Sequence, residues 1–160
     1  MNDKTIDKYI LKLKNYVEKT HHKSCIIIGA NPSITSKKLG KIIDHKYDYV
    51  IRINREPEKE YSEFYGTHTD IFIGFEGMLK SIQNSIIIPH KDILDISKEY
   101  ISCQGKHLHT GFIAILIALG VFDVVKIFGF GFDNIQEDDN NVKFLHGTFS
   151  NDHHLINFEH

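Results

Sequence analysis

The sequence predicts an α/β fold: a single-domain, Rossmann-like three-layer sandwich in which a mostly parallel sheet is flanked by helices. Two observations predict it. Short runs rich in isoleucine and valine, typical of strands buried on both faces, alternate along the chain with segments of helical period. The 160 residues contain no recognisable repeat, linker or low-complexity segment, and that length is ordinary for one domain.

The chain opens with a predicted amphipathic helix. Its apolar stripe consists of Ile6, Ile10, Leu13 and Val17. Lysines occupy the other face, so the stripe should pack on the sheet while the lysines stay in water. We expect residues 1–22 to form this N-terminal helical unit, packed on a main domain of residues 23–160.

The remaining elements follow as alternating strands and helices. Apolar, β-branched runs predict strands at residues 25–29, 48–53, 70–74, 85–89 and 123–131. Helices are predicted from Pro32 onward (carrying Leu39, Ile42 and Ile43), over 92–100, over 112–119 and from Asp152. The run 112–119 is apolar all round, as expected of a helix buried between layers.

Composition narrows the function classes. The formal net charge is −2 with histidines neutral, so no global basic field would recruit nucleic acid or an anionic membrane. No apolar run reaches the ~20 residues needed to span a bilayer, and no signal peptide is recognisable. Cys25 and Cys103 lack the spacing of a zinc or redox motif, although a disulfide between them stays open. We expect a soluble protein of the reducing cytoplasm.

Two predicted strands stop at residues suited to ligand binding. The first ends at Gly29-Ala30-Asn31 and the second at Asn54. Open α/β sheets bind nucleotides beyond the carboxyl ends of their strands, and amide side chains suit a base, ribose or phosphate. The alternative is ordinary turn chemistry, because Asn commonly follows strands. Arg52, within the second strand, would pair with a carboxylate across the sheet or approach a ligand phosphate.

A third candidate is Thr110-Gly111, at the start of the long apolar helix. The N–H groups of a helix N-terminus bind phosphates and carboxylates. The alternative is that Thr110 simply caps the helix. Elsewhere, three acidic residues are interpreted as caps or turn residues: Asp44, Asp48 and Asp70.

The histidine-rich tail supplies candidate proton acceptors, above all His146 and His154. A histidine near its ordinary pKa suits deprotonation of a hydroxyl nucleophile. Together with Asp152, the tail histidines are also residue types that zinc accepts, but no metal-binding spacing supports that site. The acidic run Glu137-Asp138-Asp139 could hold a divalent metal, with a solvated loop as the alternative.

Taken together, these motifs resemble those of the eukaryotic-type sialyltransferases, glycosyltransferase family 29. The family's long motif has a Cys before a strand, followed by Leu-Gly, Ile-Asp, Arg-x-Asn-x-x-Pro and Gly-x-x-Thr patterns. Similar residues stand here in the same order: Cys25, Gly29, Leu39-Gly40, Ile43-Asp44, residues 48–54, Pro57 and residues 66–69. Its short motif resembles Thr110-Gly111, Asp123 and residues 128–131. Its very short motif, His-x4-Glu, resembles His154 to Glu159.

The resemblance implies transfer of sialic acid from CMP-sialic acid to a glycan hydroxyl, with inversion and with neither a metal nor another cofactor. It also implies the residues of the CMP-sugar site: Gly29, Ala30, Asn31, Asn54, Thr110, Gly111 and Gly129. His154 would take the acceptor proton, with His153 as the alternative. Glu159 would match the acid of the motif, and His146 would serve the leaving phosphate.

The sequence also departs from the family pattern. Ala30 stands where the family has its first donor-binding Asn, and Phe122 stands where the family has the disulfide partner of Cys25. The chain is short, so a second copy or a partner could complete the acceptor site. Two alternatives stay open: a non-catalytic module that binds CMP or a nucleotide sugar, and a metal-dependent glycosyltransferase of another family that uses residues 137–139.

Overall fold

Five parallel strands form the centre of the molecule. The computed structural model describes residues 4–17, 23–78, 85–100 and 108–130, and the backbone of 141–144 and 147–150. The strands are β1 (Ser24–Ile28), β2 (Tyr49–Ile53), β3 (Ile71–Gly74), β4 (Ile86–Pro89) and β5 (Val124–Phe128). Their order in the sheet is β4-β3-β2-β1-β5, and every neighbouring pair is parallel. The predicted parallel α/β sheet is therefore confirmed.

Helices cover both faces of this sheet. They are α1 (Thr5–Val17), α2 (Gly40–Lys46), α3 (Ser62–Tyr65), α4 (His90–Tyr100) and α5 (Thr110–Leu119). Successive strand residues point to opposite faces. Cys25 and Ile27 accordingly join the core beneath α1, α4 and α5, whereas Ile26 and Ile28 join the core beneath α2 and α3. These two apolar cores make the three layers of the sandwich.

The first helix packs into the larger core, as its stripe predicts, with one exchange. Tyr9 is buried there and Ile10 only partly, because the Tyr9 hydroxyl donates a hydrogen bond to the Asp92 carboxylate of α4. The Glu99 carboxylate of α4 also accepts the Thr5 backbone N–H at 2.9 Å. Polar contacts with α4 thus set the rotation of α1.

The helix predicted from Pro32 is wrong as one element. The structure has a 3₁₀ turn at Pro32–Thr35 and then a separate α2, on which Ile43 is buried but Ile42 is 48% exposed. The break lets the Leu39 N–H donate to the Phe64 carbonyl at 3.1 Å. Gly40 lies so close to the Ser62 carbonyl oxygen that a Cβ would collide with it.

Two other differences concern the second half of the chain. The helix α5 is not buried all round, since Phe112 is 44% and Leu119 63% exposed. The backbone of Asn141–Phe144 (β6) and Gly147–Ser150 (β7) forms an antiparallel hairpin that the sequence patterns do not predict. No helix in the described ranges is both long and apolar enough to cross a membrane.

Candidate functional site

The sheet changes direction between β1 and β5, which makes the carboxyl ends of these strands the expected ligand crevice. From β1 the chain adds β2, β3 and β4 on one side and returns to place β5 on the other. Ligands of open α/β sheets bind outside the carboxyl ends of the strands at such a switch point.

Glycine backbones meet at this crevice. The Gly29 N–H donates to the Phe128 carbonyl at 2.8 Å, and the Asn31 N–H donates to the Gly129 carbonyl at 2.9 Å. A Cβ on Gly29 would collide with the Gly129 carbonyl oxygen. Gly129 has a left-handed φ of 75°, and a Cβ there would collide with Ile34. Only glycine fits these two positions without a rearrangement.

The ring of Phe130 links the N-terminus of α5 to the same crevice. A Cβ on Gly111 would lie 2.7 Å from Phe130 Cε1, and one on Gly29 would lie 3.2 Å from Phe130 Cδ2. The Phe130 ring therefore lies against both glycines. The structure thus brings together four of the predicted site positions: Gly29, Asn31, Gly111 and Gly129.

The cap of α5 is His109, one residue earlier than Thr110. The Gly111 N–H donates to His109 Nδ1 at 3.2 Å, so this nitrogen carries no proton while the bond exists. The N–H groups of Phe112 and Ile113 donate to the His109 carbonyl. The alternative that Thr110 caps the helix is therefore wrong, and the amides of Gly111, Phe112 and Ile113 already have acceptors within the protein.

Asn54 ends β2 in a left-handed conformation, with φ of 58°. Its N–H donates to the Ile73 carbonyl at 2.9 Å, and its side-chain amide packs over Gly74, where a Cβ would collide with Oδ1. Within the described residues, Asn54 Oδ1 is buried and accepts no hydrogen bond. Buried polar atoms normally have a partner, so an unpaired one at a sheet edge indicates a place that a ligand can complete.

A surface depression joins the ends of β1 and β2. Gly29 and Ala30 line it from β1, while Ile53, Arg55 and Glu56 line it from β2. The sequence prediction of a site at Gly29-Ala30 and Asn54 thus has a concave surface beside it. Arg55 and Glu56 were not predicted as site residues, because charged residues after a strand are typical of an exposed turn.

Arg52 also borders the depression, and it pairs with no carboxylate among the described residues, contrary to one expectation. It is only 2% exposed. Its Nε donates to the His68 carbonyl and to Thr69 Oγ1, both at 3.0 Å, and Nη2 donates to the Tyr65 carbonyl at 2.9 Å. Burial lowers the pKa of this guanidinium to about 10. Arg52 therefore holds the loop of residues 65–69.

Two of the three aspartates predicted as caps or turn residues, Asp48 and Asp70, are confirmed as turn residues, whereas Asp44 lies inside α2. The Asp44 carboxylate accepts the N–H groups of Thr67 and His68 at 2.9–3.0 Å. Asp48 accepts the Ser24 N–H at 2.9 Å, and Asp70 accepts the Val50 N–H at 2.7 Å. All three hold backbone near the amino ends of strands.

One feature of the carboxyl edge has no signal in the sequence. The rings of Phe75 and His90 stack with centroids 3.8 Å apart, and Phe75 remains 47% exposed. Within the described residues, His90 Nδ1 is the other buried polar side-chain atom without a hydrogen bond. The two residues follow β3 and β4, and only the pairing of these strands brings them together.

Comparison with known proteins identifies the family. A model of glycosyltransferase family 29 (sialyltransferase) matches residues 3–92, which is more than half of the chain. The chain belongs to glycosyltransferase family 29. The match spans α1 to β4 and includes Asn54, so the family-29 pattern covers the β1–β2 side of the site directly.

Two crystal structures of a mammalian sialyltransferase share the family-29 fold. The first, in complex with Gal-beta-1-3GalNAc-ortho-nitrophenol, aligns with a TM-score of 0.57 and 16% identity over 83% of this chain and 67% of its own. The second aligns with a TM-score of 0.54 and 16% identity, over 83% of this chain and 66% of its own. The chain thus spans about two thirds of these relatives. No curated protein sequence matches it.

The predicted catalytic residues of the family-29 tail lie outside the described residues: His146, His153, His154 and Glu159. So do the residues of the metal-site alternatives, 137–139 and Asp152. In the part of the chain that the structure describes, no group of three His, Cys, Asp or Glu side chains is arranged to hold a metal ion.

Proposed function

We propose that this family-29 domain is a sialyltransferase that moves sialic acid from CMP-sialic acid to a glycan hydroxyl, with inversion and without a metal. The family and the fold support a nucleotide-sugar donor and a glycan acceptor. The observation that carries the proposal is Asn54: the motif asparagine stands at the carboxyl edge of the sheet with a buried carbonyl oxygen to which no described residue donates a hydrogen bond.

Asn54 would bind the ribose or phosphate of CMP. Its amide offers a carbonyl oxygen to ribose hydroxyls and an NH₂ group to phosphate oxygens. The oxygen and the nitrogen of an amide exchange places when the side chain flips, and the hydrogen bonds decide between the two orientations. A bound ligand would therefore decide whether the Asn54 oxygen or its NH₂ group faces it. Asn54 has a left-handed φ, a conformation that Asn tolerates better than most residues. This backbone conformation holds the side chain at the edge of the sheet.

The glycine crevice would receive the rest of the donor. Gly29, Gly111 and Gly129 let the ends of β1, β5 and α5 pack closely, because a Cβ on any of them would collide with neighbouring protein atoms. Of the three, Gly29 is partly exposed and lines the depression, so a ligand would reach the crevice there. Ile53 and Arg55, the chain neighbours of Asn54, also line the depression. One extended ligand, such as a nucleotide sugar, could therefore contact both the crevice and the depression.

In the proposed reaction, His154 removes the proton of the acceptor hydroxyl as its oxygen attacks the anomeric carbon of the donor. The bond from that carbon to the CMP phosphate breaks, and CMP leaves with the electron pair. Attack opposite the leaving group inverts the centre. His146 would stabilise the charge that develops on the phosphate, since positioned donors must offset it when no metal does so.

The first test measures donor binding by calorimetry with CMP. We expect wild type to bind CMP and Asn54→Asp to bind it at least tenfold more weakly, because a second negative charge then faces the phosphate. Asn54→Gly is the matched variant, since it keeps the left-handed backbone and removes only the amide. A wild-type protein that binds no cytidine nucleotide would refute the proposal.

The second test measures turnover of CMP-sialic acid in the presence of EDTA. We expect His154→Ala to lose activity while its CMP affinity stays at the wild-type value. Binding of CMP with no hydrolysis or transfer by wild type would identify a non-catalytic nucleotide-binding module instead. Activity that disappears with EDTA and returns with a divalent metal would favour a metal-dependent mechanism.

We also place the protein in a reducing compartment, the cytoplasm. Cys25 is a buried free thiol, and burial raises its pKa to about 12. Phe122 occupies the position of the family's disulfide partner. Cell fractionation followed by thiol labelling checks this placement. Recovery of the protein in an oxidising compartment would contradict it.

A further inference from the structure

The depression between β1 and β2 is bordered by both arginines of the sequence, Arg52 and Arg55. The two side chains differ in burial and in their contacts. The Arg52 guanidinium is buried and donates to the loop of residues 65–69. Arg55 is half-buried and lines the mouth of the depression beside Gly29 and Ala30.

Three backbone amides around the crevice already have acceptors within the protein. The N–H groups of Gly29 and Asn31 donate to carbonyls of Phe128 and Gly129, and the Gly111 N–H donates to His109. Phosphate sites of nucleotide-binding α/β proteins commonly rely on such amides. With these three amides engaged, a side-chain cation beside the crevice is a suitable partner for a bound phosphate.

We propose that Arg55 binds the phosphate of the nucleotide in this depression. The inference rests on the proposed function and deepens it by naming the residue that recognises the anionic part of the donor. Arg55 directly follows Asn54, whose left-handed backbone turns the chain at the end of β2. A guanidinium offers a planar fork that matches two phosphate oxygens.

The charges around Arg55 support this role. Glu56 lines the same depression and its carboxylate repels a phosphate, so Arg55 must supply the attraction there. Burial lowers the pKa of Arg55, and the nearby Glu58 carboxylate counteracts that effect. The site therefore carries a positive charge next to negative ones, an arrangement that favours a phosphate held on the Arg55 side and hydroxyl groups on the Glu56 side.

The test compares nucleotides with their nucleosides. Calorimetry would measure CMP, UMP, cytidine and uridine binding to wild type and to Arg55→Gln, Arg55→Lys and Lys98→Gln. Lys98 lies in an exposed ion pair with Asp95 on α4, so its substitution removes the same charge away from the depression. Thermal unfolding of each variant checks that it folds.

We expect Arg55→Gln to weaken the binding of the nucleotide by about tenfold and to leave nucleoside binding unchanged, because only the nucleotide loses charge-assisted hydrogen bonds. Arg55→Lys should lose about threefold, since it keeps the charge without the fork. Equal weakening of nucleotide and nucleoside, or no weakening, would overturn the inference.

The outcomes separate the two proposals. If UMP binds through Arg55 and CMP does not bind, the phosphate role stands and the CMP-sugar donor is refuted. If CMP binds equally to wild type and Arg55→Gln, the donor class stands and the role of Arg55 is refuted. If no nucleotide binds to wild type, both proposals are refuted.

Discussion

The two ends of the sheet are built in opposite ways. Near the amino ends of the strands, charged side chains satisfy backbone groups: Asp48 and Asp70 accept strand N–H groups, and Arg52 donates to loop carbonyls. At the carboxyl ends, Asn54, Gly74 and Gly129 adopt positive φ, and Asn54 Oδ1 and His90 Nδ1 are buried with no hydrogen-bond partner among the residues that the structure describes. Among the described residues, the polar groups named at the amino ends are paired, whereas two buried polar atoms at the carboxyl ends are not.

Residues of the family-29 motif lie at both ends of the sheet, and their surroundings differ accordingly. Some residues of the long motif hold the loop before β3. Asp44 accepts the Thr67 N–H and lies against Gly66, and Arg52 donates to the Tyr65 carbonyl. A Cβ on Gly66, whose φ is 71°, would collide with the Asp44 carboxylate. Asn54 belongs to the same motif but faces the open edge. Some motif residues therefore hold a loop, whereas Asn54 is the one that we propose to bind the donor.

The sharpest way to break this comparison is to remove the buried arginine. Arg52→Met keeps much of the apolar volume but leaves the Tyr65 and His68 carbonyls without their donor. We expect the free energy of unfolding in urea to fall by about 3 kcal/mol, because each buried unsatisfied group costs about 1–3 kcal/mol.

Lys98→Gln is the control for Arg52→Met, because an exposed ion pair contributes little. Its free energy of unfolding should stay within about 0.5 kcal/mol of wild type. A similar small effect for Arg52→Met would show that the amino-end loop does not depend on the guanidinium.

A second substitution probes strain at the carboxyl end. Gly129→Ala should lower the free energy of unfolding by about 2 kcal/mol, because alanine disfavours a left-handed φ and its Cβ would collide with Ile34. Gly77→Ala is the matched control, since a Cβ at Gly77 meets no atom within 4 Å. Equal denaturation midpoints for the two variants would contradict the strain.

The smallest expected effect depends on pH and concerns Cys25, in the dry core near the amino end of β1. Its folded pKa is about 12 against an ordinary value of 9.0, because burial disfavours the thiolate. The stabilisation is complete below pH 9.0 and is lost as the pH rises toward 12, since only the unfolded state ionises there.

The measurement is urea unfolding of wild type and Cys25→Ala at several alkaline pH values. Above pH 9, wild type should lose up to about 1.4 kcal/mol per pH unit more than the variant. The raised pKa values of Tyr9 and Tyr65 are common to both proteins and cancel in the comparison. Parallel stability curves would refute the dry environment of the thiol.

The sequence predicts the strands well because each is a short β-branched run bounded by turn residues, and it predicts the ligand edge because two of them stop at Gly29 and Asn54. It fails where contacts distant in sequence decide. The chain breaks before Gly40 because α2 must approach Ser62. His109 caps α5 because its imidazole can reach the Gly111 amide, although such caps are usually Ser, Thr, Asp or Asn.

The position of β1 between β2 and β5 has a consequence for folding. Cys25 pairs with nearby Tyr49 on one side, whereas Ser24 pairs with distant Val124 on the other. Closing the longer loop costs more chain entropy, so we expect β5 to join the sheet late. The glycine crevice exists only after that step. Binding of a nucleotide to the crevice, during refolding or synthesis, would therefore show that β5 has joined the sheet.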